Sequence, residues 1–459
     1  MANSNAYAEL LETASRLSLN YLAGGLDAPV YPSAADCDAL AAFNCPLPAN
    51  PNDPLATLTL LDRVGSPATV RTSGGRYFGF VTGGALPAAV AADWLLSAWD
   101  QAAPLEILSP AVAAIEAAAA RYILDALNLP RDAAVAFPTG ASHGNLVALA
   151  AARHAVLLKQ GWDVEQDGLS GAPPIRLIIS DEAHATLIKA IGILGLGKRN
   201  VEIVPSDAQG RIRVDLMPPL DETCIVCAQL GNVNSGACDD VNAIADLTQA
   251  AGAWLHIDGA FGLWARTVPS LAALVAGTER ADTWVTDGHK WLNTPYDCGI
   301  VICRHRGALT GAMGFATSYM PQGTAIQPKD MLIEFSRRAR GVTVWAAMHS
   351  LGRSGLIDLI EGCCAHARTV AARLCEMGFT IHNDVVLNQV VASFGDGAQT
   401  DYIRDAVANS GVAWFGPTRW KGHHAFRISV SSWATTASDI EMTLAAVKKA
   451  VEEMANQPR

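Results

Sequence analysis

The sequence predicts an α/β fold: a large domain on a mostly parallel mixed sheet, then a smaller α+β C-terminal domain. Three observations predict it. Short apolar runs at 175–180, 201–204, 224–228, 253–257, 282–286 and 299–303 alternate with helix-period stretches between about residues 86 and 335. Continuous apolar strands of that kind belong to a sheet covered on both faces. The chain has 459 residues, 50% hydrophobic and 17% charged, enough to bury a large core without a disulfide or metal. Beyond about residue 340 the alternation stops and a long helical stretch is followed by separated strands.

Taken in order, residues 1–85 mix a helical start, Ala6 to Leu22, with a Pro-broken connection, DAPVYPSAADCDA. This N-terminal segment is too irregular to stand alone, and its apolar content suits a dimer interface. Residues 86–340 form the large domain. Its helices are expected at Pro87 to Trp99, Pro110 to Leu127, Asn145 to Leu158, Asp239 to Ala251 and Pro269 to Ala276. Residues 341–459 form the small domain. It has helical Val344 to Met377, strand 389–394, a helix near Tyr402 to Asn409, strand 426–431 and a last helix opened by a capping box, Ser438 with Glu441.

Composition excludes several classes. A formal charge of −11 lacks the basic footprint of a nucleic-acid binder. The least charged stretch, Ala133 to Ala152, carries Pro138, Thr139, Ser142, His143 and Asn145, a costly set for a bilayer core. The start MANSNAYAELLE has no basic n-region and no apolar h-region, so a cytoplasmic enzyme is expected. The ten cysteines sit mostly in apolar runs and read as reduced core thiols. Cys224 and Cys227 lie three apart on a strand and so point to opposite faces; no metal site is expected.

Four segments at strand ends carry the chemistry. FPTGASHGN (137–145) leads from a strand-like AVAF into a helix, with small residues Gly140, Ala141 and Ser142 able to close backbone amides on an anion. SDEAHATLIKA (180–190) places His184 after one strand. HIDGAFG (256–262) ends a strand at Asp258, and TDGHKWL (286–292) places Lys290 after the next. A phosphate cup, a buried carboxylate, an imidazole and a lysine at neighbouring strand ends suit pyridoxal 5′-phosphate. The lysine holds the cofactor covalently, the carboxylate keeps the pyridine nitrogen protonated, and the phosphate docks on the helix start.

HIDGAFG and GHKWL, with Asp258 and Lys290 separated by 32 residues, resemble the pyridoxal-phosphate-dependent amino-acid decarboxylases of the aromatic-amino-acid and glutamate decarboxylase kind. The resemblance spans about residues 70 to 445. It implies the aspartate-aminotransferase-like fold (fold type I) and loss of the α-carboxylate of an L-amino acid as CO2 to leave an amine. It further implies cofactor attachment at Lys290, pairing of Asp258 with the ring nitrogen, packing of Ala260 and His184 on the two ring faces, and phosphate contacts from Gly140, Ala141 and Ser142. His289 would lie near substrate and cofactor. EFSRRARG (334–341) resembles a segment that reaches the other subunit's phosphate, which places Ser336 there and implies a homodimer with shared active sites. Tyr319 falls where a mobile-loop tyrosine returns a proton to the α-carbon. Arg427 resembles an arginine that meets a substrate carboxylate, and Phe80 and Thr82 fall in the substrate segment.

The sequence departs from the family pattern in three places. Asn232, Val233 and Asn234 stand where threonines are frequent. Asp287 replaces a neutral phosphate-contacting side chain, so it is not counted as a phosphate ligand. Val81 and Thr82 replace bulkier or stiffer residues, which leaves aromatic, aliphatic and acidic amino acids all open as substrates. Two other chemistries stay open. One is an aldehyde synthase or another carbon–carbon lyase on the same scaffold. The other is a serine hydrolase, because GASHG (140–144) matches a nucleophile elbow centred on Ser142. The hydrolase leaves GHKWL and HIDGAFG without a role.

Overall fold

The computed structural model describes residues 2–24, 28–315 and 327–456. Seven strands form the larger sheet: β1 (Ala134–Ala136), β2 (Arg176–Ser180), β3 (Val201–Val204), β4 (Cys224–Gln229), β5 (Trp254–Asp258), β6 (Thr283–Asp287) and β7 (Gly299–Cys303). Their order is β1-β7-β6-β5-β4-β2-β3. β3, β2, β4, β5 and β6 run parallel, and β7 is antiparallel to both its neighbours. Side chains alternate between two cores. Ile178, Val226, Leu255 and Ile257 pack on one face against the helices Pro110–Ala126 and Arg340–Glu376. Leu177, Ile179, Ile225 and Trp254 pack on the other against the helices Ala141–Lys159 and Ala185–Ile193. Cys224 falls in the first core and Cys227 in the second.

The smaller sheet is antiparallel: β8 (Thr380–Ile381), β9 (Gln389–Ser393), β10 (Gly416–Trp420) and β11 (His423–Ser429), ordered β10-β11-β9-β8. The helices Gly397–Asn409 and Ala437–Ala455 cover it.

Several boundaries differ from the sequence expectation, each for a local reason. The helix expected from Asn145 begins at Ala141, because polar Ser142 and His143 occupy its exposed first turn. The 269–276 stretch is a 3-10 helix, Pro269–Val275. The capping box of the last helix is Thr436 with Asp439, not Ser438 with Glu441. Thr436 Oγ1 accepts the Asp439 amide while the Asp439 carboxylate accepts the Thr436 amide. The long helix starts at Arg340 and breaks at Gly352, whose φ of 63° suits glycine. The short helix Ala185–Ile193 was not anticipated. Its cap is His184 itself, whose Nδ1 accepts the Thr186 amide.

Candidate active site

The carboxyl ends of β2, β4, β5 and β6 gather the chemistry, as parallel sheets do. Asp258 closes β5 and Asp287 closes β6, and the two strands pair in parallel with Asp258 opposite Val285. Lys290 lies one turn past β6, its Nζ 3.2 Å from Asp287 Oδ2. That turn is fixed by Asn293, fully buried, whose Oδ1 accepts the amides of Gly84 (2.8 Å) and Trp433 (2.9 Å). Gly83 crosses the same turn so closely that a Cβ there would sit 1.9 Å from the Lys290 carbonyl oxygen. The N-terminal segment, the lysine turn and the C-terminal part therefore meet at the site.

The start of the Ala141–Lys159 helix faces this cluster. Gly140 lies against His289 and Asp287, and Gly299 abuts it: a Cβ on Gly299 would sit 2.5 Å from Gly140 Cα. The Ala141 amide donates to Asp287 Oδ1 at 2.6 Å, so the carboxylate set aside in the sequence reading is seated on the anion cup itself. Ser142 is exposed on the first turn, and no histidine hydrogen-bonds its hydroxyl among the described residues. The neighbouring His143 instead faces Glu334 at 3.8 Å. The nucleophile elbow therefore lacks its base.

Asp258 is buried, with Oδ2 accepting from Asn145 Nδ2 at 3.0 Å and Oδ1 from the Ala260 amide at 3.3 Å. His184 titrates among the charges of Asp258, Lys290, Arg427 and Asp287, and burial pushes its pKa down. Since its Nδ1 accepts from Thr186, the neutral ring carries its proton on Nε2. Burial also lowers His289, whose Nδ1 accepts the Cys298 amide at 3.2 Å. The His289 ring stacks on Tyr296 at 4.2 Å, and Tyr296 Oη lies 3.4 Å from Thr82 Oγ1.

Phe80 is 66% exposed and stacks on Trp414 (5.6 Å), as does Tyr77 (5.1 Å). Phe80 and Val81 hold φ values of 52° and 59°, a costly conformation for a bulky or β-branched residue and one that concentrates at functional sites. Arg427 donates to the Val233 carbonyl at 2.6 Å and pairs with no carboxylate among the described residues. Burial lowers its pKa to about 10. Ser336 is exposed, on a segment held by buried Arg337, which grips Glu116 with two bonds of 2.8 and 2.6 Å. Tyr319 lies outside the described residues.

The structure thus brings Lys290, Asp258, Ala260, His184, His289, Gly140 and Ala141 into one cluster. It adds Asn145, Tyr296 and Trp414, to which the motifs assign no role, and Asp287, which they mark only as a departure. Asn145 and Asp287 were visible as members of the strand-end motifs FPTGASHGN and TDGHKWL, but the motifs alone do not show what they touch. Trp414 carries no local signal, because only the tertiary fold places it against Phe80.

The fold and site define an enzyme class: a pyridoxal-phosphate enzyme of the aminotransferase-like fold. The profile of the pyridoxal-dependent decarboxylase conserved domain matches residues 68–394, and the chain belongs to that family. It is similar to tryptophan decarboxylase 1 of Oryza sativa subsp. japonica, 26% identical over 419 residues covering 83% of this chain and 81% of the relative. L-2,4-diaminobutyrate decarboxylase of Rhizobium meliloti is 28% identical over 390 residues, 80% of this chain and 76% of the relative. In fold it is similar to the crystal structure of Oryza sativa TDC with PLP and tryptamine, with a TM-score of 0.89, 24% identity and coverage of 98% and 99% of the two chains.

The cofactor is pyridoxal 5′-phosphate, and the activity is that of a carboxy-lyase converting an L-amino acid to an amine and CO2. The donor set fits that cofactor. A lysine and a buried carboxylate with one oxygen still served only by a long amide contact are the groups its aldehyde and ring nitrogen require, and at the helix start the phosphate would take the Ala141 amide that Asp287 now holds.

Proposed function

We propose that Lys290 holds the cofactor covalently, that Asp258 pairs with its ring nitrogen, and that Gly140, Ala141 and Ser142 receive its phosphate. The observation that carries this is the convergence of Lys290, Asp258 and the Ala141 amide at the ends of adjacent parallel strands and one helix start. Bound pyridoxal phosphate supplies the sink for the electron pair left on the α-carbon as CO2 departs. The chain's own groups do the rest. His184 and Ala260 pack against the ring. Burial lowers the His184 pKa, so the ring packs there without adding charge at neutral pH. Tyr319, with His289, returns the proton to the α-carbon. Ser336 reaches the partner's phosphate in a homodimer whose interface uses the N-terminal segment. Exposed Leu11, Leu19, Leu95, Ile107, Leu108 and Ile333 support that apolar contact. Domain boundaries near 85 and 340 and a cytoplasmic location complete the proposal.

For the substrate, the wall of Tyr77, Phe80 and Trp414 favours an aromatic side chain, with Thr82 at its inner edge. A second reading rests on Arg427. A largely buried guanidinium with no carboxylate partner among the described residues suits an anionic substrate group, as an acidic amino acid would offer. A CO2-release screen across the L-amino acids, with amine detection, separates them. Best turnover of aromatic acids supports the first reading and best turnover of acidic ones the second; no CO2 from any would overturn both. In the same assay Tyr319→Phe should divert product from amine toward aldehyde. Unchanged amine output would remove Tyr319 from the reaction. Aldehyde as the parent's main product would make the chain an aldehyde synthase.

A further inference from the structure

Strand β5 alternates its side chains so that Trp254, His256 and Asp258 share one face, 4%, 0% and 5% exposed. Asn145 on the covering helix and Thr283 on β6 meet that face, and both are fully buried. Four hydrogen bonds join these five residues. Trp254 Nε1 lies 3.1 Å from Thr283 Oγ1. Thr283 Oγ1 lies 3.1 Å from His256 Nδ1. His256 Nε2 lies 3.0 Å from Asn145 Oδ1. Asn145 Nδ2 lies 3.0 Å from Asp258 Oδ2.

The direction of every bond follows from the two ends of the chain, an indole N–H that can only donate and a carboxylate that accepts from Asn145. Thr283 Oγ1 accepts from the indole. At the other end Asn145 Nδ2 donates to Asp258, so Asn145 Oδ1 faces His256 and can only accept from Nε2–H; the neutral ring then accepts on Nδ1 from the Thr283 hydroxyl. All four donors point the same way, and such chains polarise one another. Burial pushes the His256 pKa down to about 4, so protonation does not reverse the relay near neutral pH.

We propose that Trp254, Thr283, His256 and Asn145 form a one-way hydrogen-bond relay that keeps Asp258 aimed, as an acceptor, at the cofactor's ring nitrogen. They are positioning residues, since only Asp258 would touch the cofactor. The proposal rests on the role given to Asp258 above. Burial disfavours a carboxylate charge and aimed donors favour it, so a broken relay weakens the hold on a ring N–H. It should leave the rest of the cofactor's contacts alone.

Thr283→Val removes the hydroxyl while keeping the side chain's shape, and Thr283→Ser keeps the hydroxyl. Dissociation constants for the full-length apoprotein, read from tryptophan quenching, are compared for pyridoxal phosphate and for its analogue with carbon in place of the ring nitrogen. Thr283→Val should weaken pyridoxal phosphate binding about three- to ten-fold, the scale of one hydrogen bond. Thr283→Ser should restore it, and neither should alter binding of the carbon analogue. Equal losses with both cofactors, no loss with either, or failure of serine to rescue would overturn the relay. If Thr283→Val does not fold, Trp254→Phe, which deletes the first donor, is read by the same comparison with a smaller loss expected. Absence of pyridoxal phosphate binding in the unsubstituted protein would instead overturn the role of Asp258.

Discussion

Replacing Glu116 by Gln tests whether a buried ion pair holds the segment that carries Ser336. Arg337 and Glu116 side chains are 1% and 7% exposed. Glu116 accepts two guanidinium bonds, at 2.8 and 2.6 Å, and the Gly341 amide at 3.3 Å. Arg337 Nε already has no partner among the described residues. Neutralising Glu116 therefore leaves a guanidinium charge buried and uncompensated, a change that costs about 3–5 kcal/mol. The internal control is Arg131 with Asp125, side chains 87% and 52% exposed. Solvent screens that pair, so Arg131→Gln should cost under about 1 kcal/mol. The assay is urea unfolding at saturating cofactor and one fixed protein concentration, because ligand and subunit binding both shift apparent stability. The double variant Glu116→Gln, Arg337→Gln should recover part of the loss by removing the orphaned charge. A Glu116→Gln effect no larger than that of Arg131→Gln would refute the reasoning.

Two further outcomes follow from titrating groups. His256 has a folded pKa of about 4 against an ordinary 6.5, so only the unfolded chain gains a proton between those values. Its contribution is full above pH 6.5 and is lost as pH falls toward 4, a change of about 3 kcal/mol. Buried Asp239, raised to about 6, works in the opposite sense. The test is therefore the parent against His256→Gln, whose acid slope should be shallower; parallel slopes would contradict the assignment. Arg427, at about 10, is charged at neutral pH. Arg427→Gln should raise KM about ten-fold or more with a smaller change in kcat, the scale of a hydrogen bond to a charged group. The parent KM should rise as pH passes 10, and an unchanged KM in the variant would remove Arg427 from substrate binding.

β3 and β7 were readable to the residue for different reasons: β7 is a continuous apolar run buried on both faces, so no polar alternation blurs its ends, whereas the edge strand β3 carries Glu202 and an exposed Ile203 and is marked by its β-branched residues. Helix starts were harder. Ala141 begins a helix whose first turn is polar because it faces the site, and the Ala185–Ile193 helix is short and capped by a residue singled out for another reason. Lys290, Asp258 and His184 stood out because each closes or follows a strand in a distinctive motif. The supporting residues did not. His256 sits two before Asp258 on an apolar strand and resembles an ordinary core histidine until Asn145 and Thr283 are placed around it. Asp287 was legible as a departure, but its seat on the Ala141 amide depends on the packing of β6 against the helix start. Trp414 reaches Phe80 from 334 positions away, a separation that no local pattern encodes.

The central claim is that Lys290 is the residue joined to the cofactor. Borohydride reduction of the cofactor-loaded protein, followed by digestion and peptide mass spectrometry, tests it most directly. The phosphopyridoxyl group should be found on the peptide carrying GHKWL, at Lys290, and be absent from Lys290→Ala. A stoichiometric adduct on any other lysine, or retention of the adduct in that variant, would contradict the account.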